Sequence, residues 1–216
     1  ASNPITAKVT EVKTTADYAK NGIDNLKIGG RNILLNSKLT DNADKWEGVA
    51  NIKEYTTKYN RRCAHFKHTA LQQTKYISQS VLNKLEPNTT YTMSGWVLSE
   101  NIVKGTTNHT CMFYHSGSYT KDGTSTWFGY GSKGIPINTG TGTWTRLVWT
   151  FTTDDKLKTA TNCSIQIHTR DLTGDIYFCD LKLEKGNRAT DWTPAPEDAE
   201  SGISALDTRM TSAEAS

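Results

Sequence analysis

The 216-residue sequence lacks the features that mark a membrane protein or a nucleic-acid-binding protein. No apolar run approaches the roughly 20 residues that cross a bilayer, and no signal peptide opens the chain. Because Ala1 does not follow a methionine, the sequence reads as a mature or excised piece. Lysine and arginine form no block and the net charge is +3, so neither a nucleic acid nor a membrane is a predicted partner.

Signatures of metal binding are lacking too. The four cysteines, none of them in a CxxC pair, are Cys63, Cys111, Cys163 and Cys179. Each lies within a strand-like run, which favours buried free thiols and leaves disulfides as the alternative. His65 and His68 follow Cys63 closely, but no second ligand pair follows at zinc-site spacing, so we predict no metal there.

Catalytic motifs are missing as well. The sequence contains no GxSxG, HExxH or P-loop motif and no catalytic cysteine signature. A glycosidase needs two carboxylates that face each other across a cleft, whereas the acids in the middle of the chain are few and lie mostly at turns. We predict that the protein is not an enzyme. A glycan-degrading enzyme stays as an alternative, because folding can bring two distant acids together.

Apolar residues at both ends repeat in steps of four and three. The first seam consists of Ile5, Val9, Val12, Ala16, Ala19, Ile23 and Leu26, and the second of Ile203, Leu206, Met210 and Ala213. Heptads this short are too weak to stand as isolated helices. We predict that residues 1–28 and 199–216 are coiled-coil-like stalk segments that join chains through the seam residues other than Ile5 and Ala213. The alternative is an amphipathic helix packed on its own domain.

The middle of the chain, residues 29–198, reads as short strands. The strand-like runs are RNILLN (31–36), RCAHFKH (62–68), KYISQSV (75–81), EPNTTYTMSGWVLSE (86–100), HTCMFYHS (109–116), WTRLVWTFTT (144–153), CSIQIHTR (163–170) and DIYFCDLKLEKG (175–186). In WTRLVWTFTT one face collects Leu147, Trp149 and Phe151, and in CSIQIHTR the inward residues are Ile165 and Ile167. The pattern predicts an all-β fold, an antiparallel β-sandwich or jelly roll.

Four stretches carry a resemblance to a known family. In order they are GGRNILLNS, EPNTTYTMSGWV, WTRLVWTFTT and IYFCDLKLEKGNRATDWTPAPED. Together they resemble carbohydrate-binding-module-like domains, similar to families 4 and 9. Such domains occur in tail fibres, adhesins and receptor-binding baseplate proteins of bacteriophages and prophages of Gram-positive bacteria. The resemblance covers about residues 29–198. It implies a jelly roll, a place in the virion, trimeric association, contact with other tail proteins and binding of bacterial cell-wall polysaccharide.

The closing stretch has a structural interpretation beside this resemblance. Leu181 and Leu183 are expected to anchor the last strand, and Gly186 permits the turn after it. Trp192 is expected to cover one end of the sandwich. We therefore interpret the stretch as a clasp rather than as a binding site.

Sugar recognition needs flat rings for the apolar face of a pyranose and hydrogen-bonding groups for its hydroxyl edge. Residues 114–134 are rich in glycine, serine and threonine, which predicts a loop, yet they carry several large rings. We predict that four of these rings stay near solvent and stack on saccharide: Tyr114, Tyr119, Trp127 and Tyr130. The predicted polar floor consists of the outward residues Gln166, His168 and Arg170. The alternative is that the rings pack as a small core, as expected for Phe128.

The predicted function is therefore attachment to host polysaccharide, made multivalent by the helical segments. A spacer or trimerisation module without glycan binding is the alternative, and it leaves the ring-rich stretch unexplained. The resemblance also implies a structural Ca²⁺ near the first and last strands, with Asp180 as its carboxylate. Because no dense acidic loop supplies the other oxygen ligands, no cofactor is certain and calcium is left open.

Overall fold

The computed structural model describes residues 4–24, 29–107, 111–136, 142–200 and 204. The helix α1 comprises Pro4–Asp24, and residues 196–200 are also helical. In chain order the strands are β1 (Glu54–Lys58), β2 (Arg61–His68), β3 (Thr74–Ser80), β4 (Thr90–Lys104), β5 (Cys111–Lys121), β6 (Thr124–Phe128), β7 (Ser132–Gly134), β8 (Thr145–Thr152), β9 (Ala160–Arg170) and β10 (Leu172–Lys185). Short 3-10 turns comprise Val49–Asn51 and Asp155–Thr159.

The strands form two antiparallel sheets that pack face to face. Sheet I has the order β1-β2-β10-β4-β8, and sheet II has the order β3-β9-β5-β6, with β7 also paired to β5. The side chains between the sheets are fully buried, among them Phe66, Ile77, Met93, Phe113 and Phe178. Each such side chain stabilises the fold by about 1.5–3 kcal/mol. The predicted antiparallel β-sandwich is confirmed.

The alternation in the sequence correctly predicts which side chains of β8 point into the core. Leu147, Trp149 and Phe151 share the buried face of β8, as predicted. The prediction of an opening strand at residues 31–36 is wrong, because their backbone is irregular. Strand β1 is not predicted from the sequence, because EYTTK has only one large apolar residue and gives no strand signal.

The ring-rich stretch 114–134 is not a loop. It consists of most of β5, all of β6 and β7. Asp122 and Gly123 join β5 to β6 with φ angles of 49° and 74°, the left-handed conformation that a two-residue hairpin turn requires. The prediction of a long loop is wrong because threonine, one of its apparent loop residues, is a good β-former on a half-exposed hairpin.

The opening and closing stretches are joined through Asn32. Its buried amide Nδ2 donates to the carbonyl oxygens of Leu181 at 3.1 Å and Thr193 at 3.0 Å. Its Oδ1 accepts from the backbone N–H of Leu183 at 3.1 Å. Trp192 donates from Nε1 to the hydroxyl of Ser37 in the opening stretch, at 3.2 Å. Because Leu181 and Leu183 are fully buried, these contacts anchor β10 as the clasp interpretation predicts.

The helix α1 carries its heptad residues on an exposed surface. Val9 and Val12 are 62% and 68% exposed, and Ala16 and Ala19 are exposed as well. Their exposure contradicts the alternative in which the helix buries this seam on its own domain. Five predicted contacts lie outside the described side chains: Ile23, Leu26, Ile203, Leu206 and Met210. Pairing with other chains stays a prediction. No described helix is long and apolar enough to cross a membrane.

Three of the four cysteines are buried free thiols, as predicted: Cys63, Cys163 and Cys179. The side chain of Cys111 lies outside the described part of the chain. Burial raises the pKa of the Cys63 thiol to about 11 and that of Cys163 to about 12. These thiols are therefore protonated at neutral pH and poor nucleophiles.

Candidate functional site

The outer face of sheet II is polar because its central strands alternate strictly. On β9, Ile165 and Ile167 point into the core and are fully buried, whereas Gln166 and His168 point outward. Antiparallel pairing places Tyr114 of β5 beside Gln166. The outward residues of neighbouring strands therefore meet on one surface, as the sequence predicts for Gln166 and His168.

Three rings form a row across β3, β9 and β5. Tyr76 lies opposite His168 in the β3–β9 register, and their ring centroids are 6.2 Å apart. On the other side of His168, the ring of Tyr114 lies at 5.5 Å. Tyr76 is 41% exposed, so the row is open to solvent at that end. The three strands place these rings across about 10 Å of the sheet, two interstrand spacings.

A groove of about 460 Å³ crosses the same surface and is called the sheet II groove below. Its floor consists of small polar side chains: Ser78, Ser80, Ser116, Asn162, Ser164 and Gln166. Glu47 lies at its edge, where its backbone pairs with Ser78 and its carboxylate is 3.5 Å from the Ser78 hydroxyl. None of the described residues that line the groove is a lysine or an arginine. The groove therefore offers hydroxyls and amides rather than positive charge.

Trp127 of β6 is an exposed ring beside the groove. It is 62% exposed, and its Nε1 donates to the hydroxyl of Ser116 at 3.3 Å. The indole lies close against Gly129, where an added Cβ would come within 2.8 Å of Cζ2. The glycine leaves room for the indole and the hydrogen bond orients it, so a large part of a fixed ring is open to solvent.

Two of the predicted rings lie on the inner side of the same sheet. Tyr119 makes an edge contact with buried Phe128, with ring centroids 5.8 Å apart. Tyr130 stacks parallel to Phe151 at 5.9 Å, and its hydroxyl donates to the Asp154 carboxylate at 3.1 Å. Burial raises the pKa of Tyr130 well above its usual value. Tyr119 and Tyr130 are partly buried and pack with Phe128 on the side of the sheet away from the groove, and their predicted contact with saccharide stays a prediction.

The structure thus brings four predicted residues to one face: Tyr114, Trp127, Gln166 and His168. Arg170 is exposed at the end of β9, opposite Thr74, and does not line the groove. Sequence reasoning missed Tyr76, Ser78 and Glu47. A signal for the first two was present in KYISQSV, where buried Ile77 separates two outward residues. Glu47 carried no such signal, because its pairing with β3 comes from an isolated bridge.

A buried histidine and cysteine lie beneath the outer face. His115 Nε2 is 3.2 Å from Cys163 Sγ, and neither side chain is exposed. Burial lowers the pKa of His115 to about 4 and raises that of Cys163 to about 12. Both groups are therefore uncharged at neutral pH, and the pair supports the sheet rather than generating a thiolate.

The surroundings of Asp180 do not fit calcium. Its Oδ2 lies 2.7 Å from Nη1 of Arg61. Among the described residues, no group of three or more histidine, cysteine, aspartate or glutamate side chains is placed to hold a metal ion. A carboxylate that pairs with a guanidinium and has no such acidic neighbours does not supply the cluster of carboxylates that Ca²⁺ favours, and calcium at Asp180 stays a prediction.

A larger hollow, of about 800 Å³, lies where the chain enters and leaves the sandwich. It is lined by residues such as Arg31, Lys84, Lys185 and Glu197. The one aromatic ring among the described residues of its lining, that of Tyr91, is 1% exposed and therefore has no face free for a ligand. The sheet II groove, with exposed rings beside polar side chains, is the stronger candidate site despite its smaller volume.

Solved structures are similar to this chain in fold at low sequence identity. The tripod of the bacteriophage Tuc2009 baseplate is 14% identical, with a TM-score of 0.50 over 80% of this chain and 61% of that chain. A family 4 carbohydrate-binding module is 17% identical, with a TM-score of 0.42 over 62% of this chain and 76% of that one. The enzymatically active domain of bacteriophage CBA120 tailspike protein 4 is 13% identical, with a TM-score of 0.45 over 71% and 21%.

These likenesses concern the fold alone. The chain spans less than two thirds of the baseplate chain and of the tailspike chain. No protein-family description matches the sequence. No curated protein matches it either.

Proposed function

We propose that this chain is a carbohydrate-binding module of a bacteriophage tail protein and that it binds host cell-surface polysaccharide in the sheet II groove. The observation that carries the proposal is the exposed ring of Trp127 beside a groove of hydroxyl and amide groups. A pyranose has an apolar face, which can stack on the indole, and a hydroxyl edge, which can hydrogen-bond to the hydroxyl and amide groups of the groove.

The groove suits a neutral saccharide. Its floor presents Ser116, Ser164 and Gln166, whose side chains both donate and accept hydrogen bonds. Tyr76 and Trp127 are three interstrand spacings apart, about 14 Å, and six residues apart along β9, about 20 Å, because Tyr76 pairs with His168 and Trp127 lies level with Asn162. An oligosaccharide that runs diagonally over the strands would contact both rings and the polar floor between them.

The place in a virion rests on the four sequence stretches that resemble phage tail modules. The similar fold of a phage baseplate protein supports this assignment. Within a tail, a module of this kind attaches the particle to its host before infection.

Self-association, proposed as a trimer, would compensate for weak binding at a single groove. The contact area of one or two rings is small, and each Å² of buried apolar surface contributes only about 25 cal/mol to the free energy of binding. Val9 and Val12 leave an apolar seam open on α1, which other chains can cover. Linked sites exceed the affinity of one site by about 10²–10⁴ when a polymer spans them.

Two other functions remain as alternatives. A spacer would use the same exposed seam on α1 but would need neither Trp127 nor the groove. A glycan-degrading enzyme would need a second carboxylate opposite Glu47, which is the one carboxylate among the described residues of the groove lining. The binding module explains both the seam and the exposed ring.

The experiment is a pull-down of the full chain on purified cell wall and on a panel of neutral glycans, with Trp127→Ala beside the parent. Loss of about 80 Å² of ring contact should weaken single-site binding by about 2 kcal/mol, or about 30-fold. Tyr119→Ala is the matched control, since it removes a ring from the inner side of the same hairpin. No binding by the parent would favour the spacer, and undiminished binding by Trp127→Ala would overturn the assignment of the glycan site to the sheet II groove.

A further inference from the structure

A second cavity lies on the other side of the sandwich, at the turn between β1 and β2. This turn cavity has a volume of about 560 Å³ and shares no lining residue with the sheet II groove. Its charged lining residues are Lys38, Arg61, Arg62 and Asp180. Three cations thus face one carboxylate, whereas the sheet II groove has no lysine or arginine among its described lining residues. Two aromatic rings complete the turn cavity.

Tyr59, one of these rings, occupies a backbone position that disfavours large side chains. Tyr59 and Asn60 form a two-residue hairpin turn with φ angles of 43° and 63°. Asparagine and glycine tolerate this left-handed conformation, but a tyrosine is strained in it. The side chain is 57% exposed, so core packing does not offset the strain. Strain retained at an exposed ring points to a functional role.

The ring of Tyr59 is also held in one orientation. Its hydroxyl donates to the Glu100 carboxylate at 3.0 Å, and the Lys58 ammonium lies 5.1 Å from the ring centroid. Gly142 lies close against the ring, since an added Cβ there would be 2.5 Å from Cζ. A ring fixed before binding loses little conformational freedom when a ligand arrives.

Arg61 presents a fixed guanidinium to the same cavity. Its guanidinium carbon lies 4.4 Å from the ring centroid of Trp96 and 5.6 Å from that of Trp144. One of its five N–H donors reaches Asp180, at 2.7 Å. A guanidinium that is stacked on rings and carries several further donors is suited to bidentate binding of a carboxylate or a phosphate.

Lys38 adds a positive charge that nothing described neutralises. Its Nζ lies 5.5 Å from the ring centroid of Trp192, and no described carboxylate is within ion-pair distance. Arg62 pairs with Asp41 at 3.3 Å, but both side chains are largely exposed, so the pair is weak. The turn cavity therefore attracts anions, with a potential that the sheet II groove lacks.

We propose that the turn cavity is a second saccharide site, selective for sugars that carry a phosphate or a carboxylate. The acidic group binds the guanidinium of Arg61 and the ammonium of Lys38, and the sugar ring lies against Tyr59. Because the two sites share no lining residue, this site does not depend on the function of the sheet II groove.

The test titrates the full chain by calorimetry at low salt with four probes: glucose 1-phosphate, tri-galacturonate, inorganic phosphate and a neutral trisaccharide. At least one of the two acidic sugars should bind, and more weakly as sodium chloride is added, because salt screens the cations. The two acidic probes distinguish a phosphate from a carboxylate as the preferred group. Inorganic phosphate and the neutral sugar should bind this site at least about tenfold more weakly.

Two variants test whether the acidic sugar binds in the turn cavity. Tyr59→Asn removes the ring but suits the left-handed turn, so we expect unchanged or higher thermal stability and about tenfold weaker binding of the acidic sugar. Lys38→Gln removes a cation without leaving a carboxylate unpaired and should weaken binding by a similar factor. Failure of both acidic sugars to bind would overturn the proposal. So would full affinity in both variants, or inorganic phosphate binding as tightly as the sugar.

Discussion

On the outer face of sheet II the indole of Trp127 is 62% exposed, whereas on sheet I the indoles of Trp96 and Trp144 lie against the guanidinium of Arg61. The two faces therefore use the same kind of side chain in different ways. An open ring offers an apolar plane to a neutral sugar. A ring covered by a cation instead fixes that cation in place and presents N–H donors at the surface.

Neighbouring residues make this difference. On sheet II, Gly129 and the serines of the floor leave space above the strands, so the described residues leave most of the Trp127 indole uncovered. On sheet I, Lys58 and Arg61 flank the β1–β2 turn, and their long side chains reach over the rings of Tyr177 and Trp96, each two strands away. Strand position and side-chain length together determine whether an aromatic residue becomes a platform or a support.

The prediction with the largest expected effect concerns the dependence of cell-wall binding on self-association. Val9→Asp combined with Val12→Asp places charges in the seam of α1 and should yield a monomer by analytical ultracentrifugation. Apparent affinity for cell-wall fragments should then fall by about 10²–10⁴, while the affinity for a short oligosaccharide stays the same. Equal retention on cell wall by the variant and the parent would contradict the multivalent account.

A smaller effect separates the two faces directly. Gln166→Ala with His168→Ala removes an amide and a ring from the sheet II face, so neutral glycan binding should weaken by about 2 kcal/mol, or about 30-fold. Calorimetry with a neutral trisaccharide and with glucose 1-phosphate measures both sites in one preparation. A parallel loss for the acidic probe would mean that the two faces are not independent.

The stability of the fold should decrease in mildly acidic solution, because histidines are buried in the sandwich. Burial lowers the pKa of His115 and of His68 to about 4 in the folded state, against about 6.5 when unfolded. The unfolded chain then binds more protons, so this stability is fully present above pH 6.5 and is lost as the pH falls toward 4. At pH 5.5 urea unfolding should show a loss of about 1.4 kcal/mol for each histidine.

His115→Gln isolates one half of this effect. The variant cannot gain a proton at that position, so its free energy of unfolding should depend less steeply on pH between 6.5 and 4 than that of the parent. An unchanged slope would show that His115 is not held neutral beneath the outer face of sheet II.

The smallest effect concerns the position of the indole. Gly129→Ala should displace the Trp127 ring, because the new methyl group would lie within 2.8 Å of it. We expect neutral glycan affinity to fall by about 1 kcal/mol, or about fivefold, since the ring is moved rather than removed. An unchanged indole fluorescence and affinity would mean that the glycine does not position Trp127.

The sequence predicts the sandwich and about half of the candidate site. The alternation of Ile165 and Ile167 with Gln166 and His168 was sufficient, because a strand with one buried face has a strict period of two. The side of the sheet on which Tyr119 and Tyr130 lie is not evident from the sequence, because glycine, serine and threonine in this stretch hide the period of two. The isolated bridge at Glu47 depends on a contact with a distant segment, as do the contacts of Tyr59 with Glu100 and Gly142, and local patterns do not contain such contacts.

The most direct measurement follows the indole N–H signals of the six tryptophans by NMR while solubilised cell-wall polysaccharide is added. If a neutral glycan lies on the outer face of sheet II, the Trp127 signal shifts, whereas those of buried Trp46 and Trp149 do not. A titration in which other indoles shift and Trp127 stays unchanged would contradict the assignment of the glycan site to this face.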